Sequence, residues 1–291
     1  MSIKRQETRD KKQETRNIKW FLNKIPPVYV AIVFLFLYAP MLVMVVFSFN
    51  GQNSTAIMDW SLSTRWYVEF FNNRELIDAV INTLVLALSA SAIATVIGTA
   101  AAVALDAWKK NLTRGAIMAV TDIPMMAPDI VTGISMMLLF VFLGALLGRQ
   151  DIQGFPTLLI AHVTFCLPYV ILSVLPRLRQ TDRHLSEAAQ DLGCTPFQAF
   201  IKVVLPNAFS AILTGALMAF TLSLDDFVIS HFTKGVGFNT LPMVIYNATK
   251  KPVRPTIFAL STLIFVGIFV LLLLINAAQA KSDKKHQGAK K

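Results

Sequence analysis

The chain has 291 residues, 55% of them hydrophobic and 15% charged, with a formal net charge of +10 and a mean hydropathy of +0.57. Soluble domains carry about 25% charged residues, so this composition excludes a disordered chain and argues against an ordinary soluble enzyme. The basic balance does not point to nucleic acid, because the charges sit between long apolar runs, which is the pattern of membrane topology. Two cysteines, Cys166 and Cys194, are too few for a disulfide framework or a metal cage, and both are expected as free thiols.

The chain opens on a polar, charge-alternating tail at 1–27. A bilayer core of about 30 Å needs roughly 20 apolar helical residues, and six stretches supply them: 28–49, 79–105, 115–147, 155–176, 207–230 and 256–278. The first is longer than a signal-peptide core and is read as a retained span. The chain closes on a basic tail at 279–291. The expected fold is therefore an all-α integral membrane domain at 28–278 with six transmembrane helices. With both termini inside, 20 Lys and Arg lie on the cytoplasmic side and seven outside, as the positive-inside rule requires.

One cytoplasmic loop, at 177–206, stands apart from the surrounding Leu, Val and Ala. Its sequence reads helix, turn, helix. Glu187 to Leu192 are helix-compatible, and Gly193 can take the left-handed conformation that ends a helix. Thr195 caps the next helix, with Pro196 at its first position. Phe197, Phe200, Ile201 and Val204 then fall on one helical face.

This string resembles the EAA loop of ABC-importer permeases, which runs Glu-Ala-Ala, three residues, Gly, nine residues, Ile, any residue, Leu-Pro. Glu187, Ala188, Ala189, Gly193, Leu205 and Pro206 match at the right spacing, and Val203 stands where Ile is usual. The resemblance implies a type I importer permease whose loop docks on an ATP-binding subunit and transmits its closure, with Glu187 and Gly193 at the coupling site. No P-loop occurs in the chain, so nucleotide chemistry is expected on separate subunits. Six spans are half of such a pore, which implies two ATP-binding subunits and a second homologous permease. No cofactor, metal or bond chemistry is expected of this chain, and no nucleic acid.

Carboxylates within a bilayer are costly and are functional hypotheses by default. Asp129 lies about 21 Å of helical rise from Gly115, and Asp225 about 27 Å from Asn207, with Asp226 beside it. No Lys or Arg falls within any of the six stretches. Three outcomes fit: the acids are protonated, they hydrogen-bond polar neighbours, or the missing cation is the substrate. Adjacent helical residues point about 100° apart, so Asp225 and Asp226 cannot share one direction, and the sequence does not decide which faces the pore. Ser223 offers a hydroxyl nearby, Phe220, Phe227 and Tyr246 offer aromatic walls, and Trp66 and Tyr67 are candidate cation–π partners.

Along most of the membrane region the chain is similar to permeases of spermidine/putrescine ABC importers, and most similar to the putrescine type. Phe36-Leu37-Tyr38-Ala39-Pro40, Pro128-Asp129-Ile130-Val131-Thr132-Gly133, His162-Val163-Thr164-Phe165-Cys166 and Thr240-Leu241-Pro242 carry the likeness. Its most specific element is Ser223-Leu224-Asp225-Asp226, and its main departure is His231, where small residues are commoner. The resemblance implies a polyamine substrate, a periplasmic binding protein that delivers it, and the bacterial inner membrane as location. The alternatives are the same importer fold carrying an amino acid or ferric iron, or a stand-alone proton-coupled carrier.

Overall fold

The computed structural model describes residues 27, 29–52, 63–108, 111–149, 152–182, 184–250 and 254–288. Most of the N-terminal tail therefore lies outside the described residues. Regular structure there is entirely helical: α1 (Tyr29–Phe47), α2 (Arg65–Asn72), α3 (Arg74–Ala107), α4 (Asn111–Met126), α5 (Asp129–Leu146), α6 (Phe155–Gln180), α7 (His184–Asp191), α8 (Pro196–Ala199), α9 (Leu205–Asp225), α10 (Val228–Thr233), α11 (Leu241–Thr249) and α12 (Pro255–Gly288). A π-helical turn at Phe200–Val204 joins α8 to α9.

Among the described residues, five helical segments are long and apolar enough to cross a membrane: α1, α3, α5, α6 and the run Pro196–Asp225. A sixth, Pro255–Val270 within α12, is apolar but shorter. Two sequence boundaries are corrected. The single span expected at 115–147 is two helices, α4 and α5, parted at Ala127 and Pro128. Proline disfavours helical geometry in the residue before it and cannot donate into the preceding turn. Asp129 thus starts a new helix, at the end where the helix dipole favours negative charge. The span expected at 207–230 likewise stops at Asp225, and α10 begins beyond a two-residue break.

The described residues fall into two compact units. The first holds α1, the start of α2 and α12 as far as Leu273. The most apolar window of α1 has no buried residue, as suits a helix whose neighbours are lipid or another chain. At its end Ser48 is buried, and its hydroxyl lies 2.7 Å from the Tyr67 hydroxyl. The Phe49 and Tyr67 rings meet at 5.4 Å.

The second unit is organised by α3, α6 and α9, which pack on one another. Helix α3 buries a stripe of small residues, Ala87, Ala90, Ser91, Ala94, Gly98 and Ala102. Small residues let helical backbones approach closely where the solvent is lipid and the hydrophobic effect is weak. At Gly98 an added Cβ would come within 2.7 Å of Val170 on α6, so this crossing needs glycine. Helix α10 packs on α5 and α6, which brings the chain beyond the α9 break back against the chain beyond the α4 break.

Candidate functional site

Helix packing in the second unit gathers acids that are far apart in sequence. Asp129, Asp225 and Asp226 come within electrostatic reach of one another. Asp129 is exposed at the first residue of α5, and Asp225 is exposed at the last residue of α9. Among the described residues neither forms an ion pair.

Asp226 differs from both. Its side chain is 7% exposed. One carboxylate oxygen accepts the Ile229 N–H at 3.2 Å, and the other accepts the Ser230 N–H at 2.8 Å. The carboxylate thereby satisfies amides at the start of α10 that have no partner within the helix. His162 Nε2 lies 3.5 Å from it.

His162, on α6, is fully buried. Its Nδ1 lies 2.8 Å from Ser223 Oγ on α9, and its Nε2 lies 2.9 Å from Ser230 Oγ on α10. The neighbouring carboxylate favours the proton on Nε2. That tautomer gives a directed chain: the Ser223 hydroxyl donates to Nδ1, and Nε2–H donates to Ser230 Oγ. A buried imidazole without partners would be costly, and here both nitrogens are satisfied. Sequence reasoning assigned no role to His162 or Ser230. The available signal was a lone histidine inside an apolar stretch, which must find polar partners.

An aromatic patch continues from the corner. The Phe227 ring lies 4.3 Å from Tyr246 and 5.4 Å from His231, centroid to centroid. Tyr246 is exposed, and the Lys250 ammonium sits 4.5 Å over its ring. Trp66 belongs to the first unit, where it is 4% exposed and donates its indole N–H to the Asn50 carbonyl.

The loop at 177–206 folds as its local chemistry dictates. Helix α7 carries Glu187, Ala188 and Ala189. Gly193 has φ +91°, and nothing lies near its missing Cβ, so backbone conformation and not space selects glycine. Cys194 N–H donates to Ala189 O at 3.1 Å and Gly193 N–H to Gln190 O at 2.9 Å, the paired bonds of a Schellman ending. Thr195 and Gln198 then form a reciprocal capping box at α8, with Pro196 at its first position.

The expected single apolar face does not hold through Val204. Helix α8 is four residues long, and the π turn follows. Pro206 cannot donate into the preceding turn, and its ring crowds the carbonyl four residues back. The wider turn, with Leu205 N–H bonded to Phe200 O, relieves that crowding. Leu192, Phe197 and Ile201 are 88%, 70% and 43% exposed, so this segment presents apolar side chains that the described chain does not cover. Beside it, a cleft of about 630 Å³ is lined by Asp106, Trp108, Arg114, Asp182, Ser186 and Phe200, among others.

His184 Nδ1 lies 3.0 Å from Glu187 Oε2, both largely exposed. The hydrogen bond to Glu187, and then the charge of Asp182, hold the His184 imidazole above its ordinary value. For a group raised in the folded state, the contact contributes fully below the ordinary histidine range and is lost as pH rises through the elevated value. An NMR titration should place His184 above 6.5, and Glu187→Gln should bring it back down. A His184 midpoint at the ordinary value would show that the contact does not form.

Residues 94–285 match the family model described as "Binding-protein-dependent transport system inner membrane component". The chain belongs to this family. It is an integral membrane subunit that works with a binding protein and with the other subunits of an ABC importer. Among curated proteins, this permease is 40% identical over 253 residues to "Putrescine transport system permease protein PotI" of Escherichia coli (strain K12), covering 87% of this chain and 89% of that one. It is 37% identical over 256 residues to "Spermidine/putrescine transport system permease protein PotC" of Haemophilus influenzae, covering 88% and 96%. Among solved structures, a chain of a bacterial ABC transporter involved in the import of the acidic polysaccharide alginate superposes with a TM-score of 0.70 at 15% identity, covering 88% and 93%. At that identity the superposition shows the importer permease fold alone.

Proposed function

We propose that this permease moves a polyamine, putrescine or spermidine, into the cytoplasm, and that Asp129 and Asp225 receive its ammonium groups. The observation that carries this reading is the gathering of three acids in which two are exposed and without an ion-pair partner among the described residues. An organic cation at such a place gains charge-assisted hydrogen bonds and relieves acid–acid repulsion. Relatives named for putrescine and spermidine support the cargo. Tyr246 supplies a ring for the methylene chain or an ammonium, and Lys250 now stands over it. Asp226 and Ser223 support the site from behind, and Trp66, 4% exposed with its indole N–H given to Asn50, is not assigned to it. The exposure of Asp129 and Asp225 suits a pathway completed by a second homologous permease.

In the proposed topology, α12 supplies the sixth span of the 28–278 membrane domain, and both termini are cytoplasmic. Two ATP-binding subunits dock at Glu187, Ala188, Ala189 and Gly193, with Leu205 and Pro206 passing their motion into α9. A periplasmic binding protein delivers the cargo. The exposed Leu192, Phe197 and Ile201 support such docking.

The test is competition uptake by the complete complex in proteoliposomes, with radiolabelled putrescine as probe. Unlabelled putrescine should compete, spermidine should compete if both are carried, and a neutral amino acid or ferric citrate should not. Absence of putrescine uptake together with no spermidine uptake, or competition by the neutral amino acid, would overturn the cargo.

A further inference from the structure

We infer that His162 is a positioning residue for the acid site: it straps α9 to α10 across the break at Asp226 and Phe227, so that Asp226 is turned inward and Asp225 is left to meet the cation. This rests on the polyamine reading for its cargo, but its geometry stands apart from the identity of that cargo.

The argument begins with the break. A helix that stops at Asp225 leaves two residues free to turn, and nothing in their own sequence sets the angle. Three side chains set it from outside. Ser223 is the last buried residue of α9 and Ser230 a buried residue of α10. One imidazole from α6 reaches both, at 2.8 Å and 2.9 Å. Imidazole suits the task because its two nitrogens point apart from a rigid ring, one accepting and one donating.

The direction of the chain fixes Asp226 as well. With Nε2–H given to Ser230 Oγ, His162 holds Ser230, whose backbone N–H the Asp226 carboxylate accepts. The other carboxylate oxygen accepts the Ile229 amide. Both oxygens are engaged by the protein, and the side chain is 7% exposed. A carboxylate so engaged is a poor ligand for an arriving ammonium. Its neighbour, about 100° away around the α9 axis, is exposed. His162 thus acts through the corner and never touches the cargo, since it is fully buried.

The experiment uses the complete complex in proteoliposomes, with radiolabelled putrescine as probe and hydrogen exchange on the same preparations. His162→Phe keeps a flat ring and removes both bonds, while His162→Gln returns one donor and one acceptor. His162→Phe should raise KM about tenfold, with the maximal rate changed by less than about threefold. His162→Gln should recover most of the loss. Exchange at Ile229 and Ser230 should quicken about tenfold, with the rest of α6 unchanged. Combining His162→Phe with Asp225→Asn should be no worse than Asp225→Asn alone, because the two act on one group.

Unchanged exchange in α10 would overturn the strap. Faster exchange with unchanged KM would overturn its role in positioning the acid. Additive losses in the double variant would do the same. Should His162→Phe fail to assemble, Ser230→Ala removes only the hydroxyl that His162 bonds and is read by the same two measurements. A wild-type complex that takes up neither putrescine nor spermidine would sink the cargo, and exchange in α10 would still decide the strap.

Discussion

Asp225→Asn is expected to raise the KM for polyamine uptake by roughly ten- to a hundredfold, the worth of one charge-assisted hydrogen bond. The substitution keeps shape and removes charge. Asp225 is exposed and forms no ion pair among the described residues, so assembly with the ATP-binding subunits should be intact. Asp129→Asn should behave in the same way, because Asp129 is equally exposed at the start of α5. Asp226→Asn should differ in kind. It removes a charge that caps the Ile229 and Ser230 amides of α10, so its cost should fall on stability as well as on transport, by about 1 kcal/mol. Uptake kinetics and co-purification, measured on all three, separate the two behaviours. Unchanged uptake in both Asp129→Asn and Asp225→Asn would remove the acid-site proposal.

Gly193→Val is expected to reduce transport at least tenfold without blocking membrane insertion. The backbone at 193 has φ +91°, where a β-branched residue is a conformational outlier at a cost of roughly 1–2 kcal/mol or more. The space around it is open, so the damage is torsional. The Schellman ending of α7 would be lost, and with it the angle between α7 and α8. Gly193→Ala, strained in the same region but smaller, should be milder. Glu187→Ala should also impair transport, although Glu187 is an exposed side chain whose one contact among the described residues is His184. Uptake, ATPase stimulation by loaded binding protein and surface expression are the measurements. Normal coupled transport in both Gly193→Val and Glu187→Ala would refute the docking assignment.

The readable parts of this chain were those governed by local chemistry. Gly193, Thr195 and Pro196 each have one conformational use in such a string, and each takes it. The six apolar stretches were legible because hydropathy needs only composition. Hydropathy does not see backbone breaks, so α4 and α5 merged into one expected span although Pro128 marked the place. The apolar face from Phe197 to Val204 failed for a related reason. Its period assumed regular winding, and Pro206 enforces a wider turn upstream of itself. The acids were visible as residues, but Asp225 and Asp226 were indistinguishable. What separates them is an imidazole more than sixty positions earlier, and no local pattern announces a partner at that distance.

The π turn at Phe200–Val204 has a consequence at the far end of the helix it introduces. Helix α9 runs from Leu205 to Asp225, about 30 Å of rise, and behaves as one stiff shaft. A widened turn is an extra residue inserted at the base of that shaft, and each residue is worth about 100° of rotation. The azimuth at which Asp225 meets its neighbours is therefore set at the root, beside the docking segment. Tightening that turn to ordinary winding would drive the carboxylate round by more than a quarter revolution, and would carry Ser223 away from His162 with it.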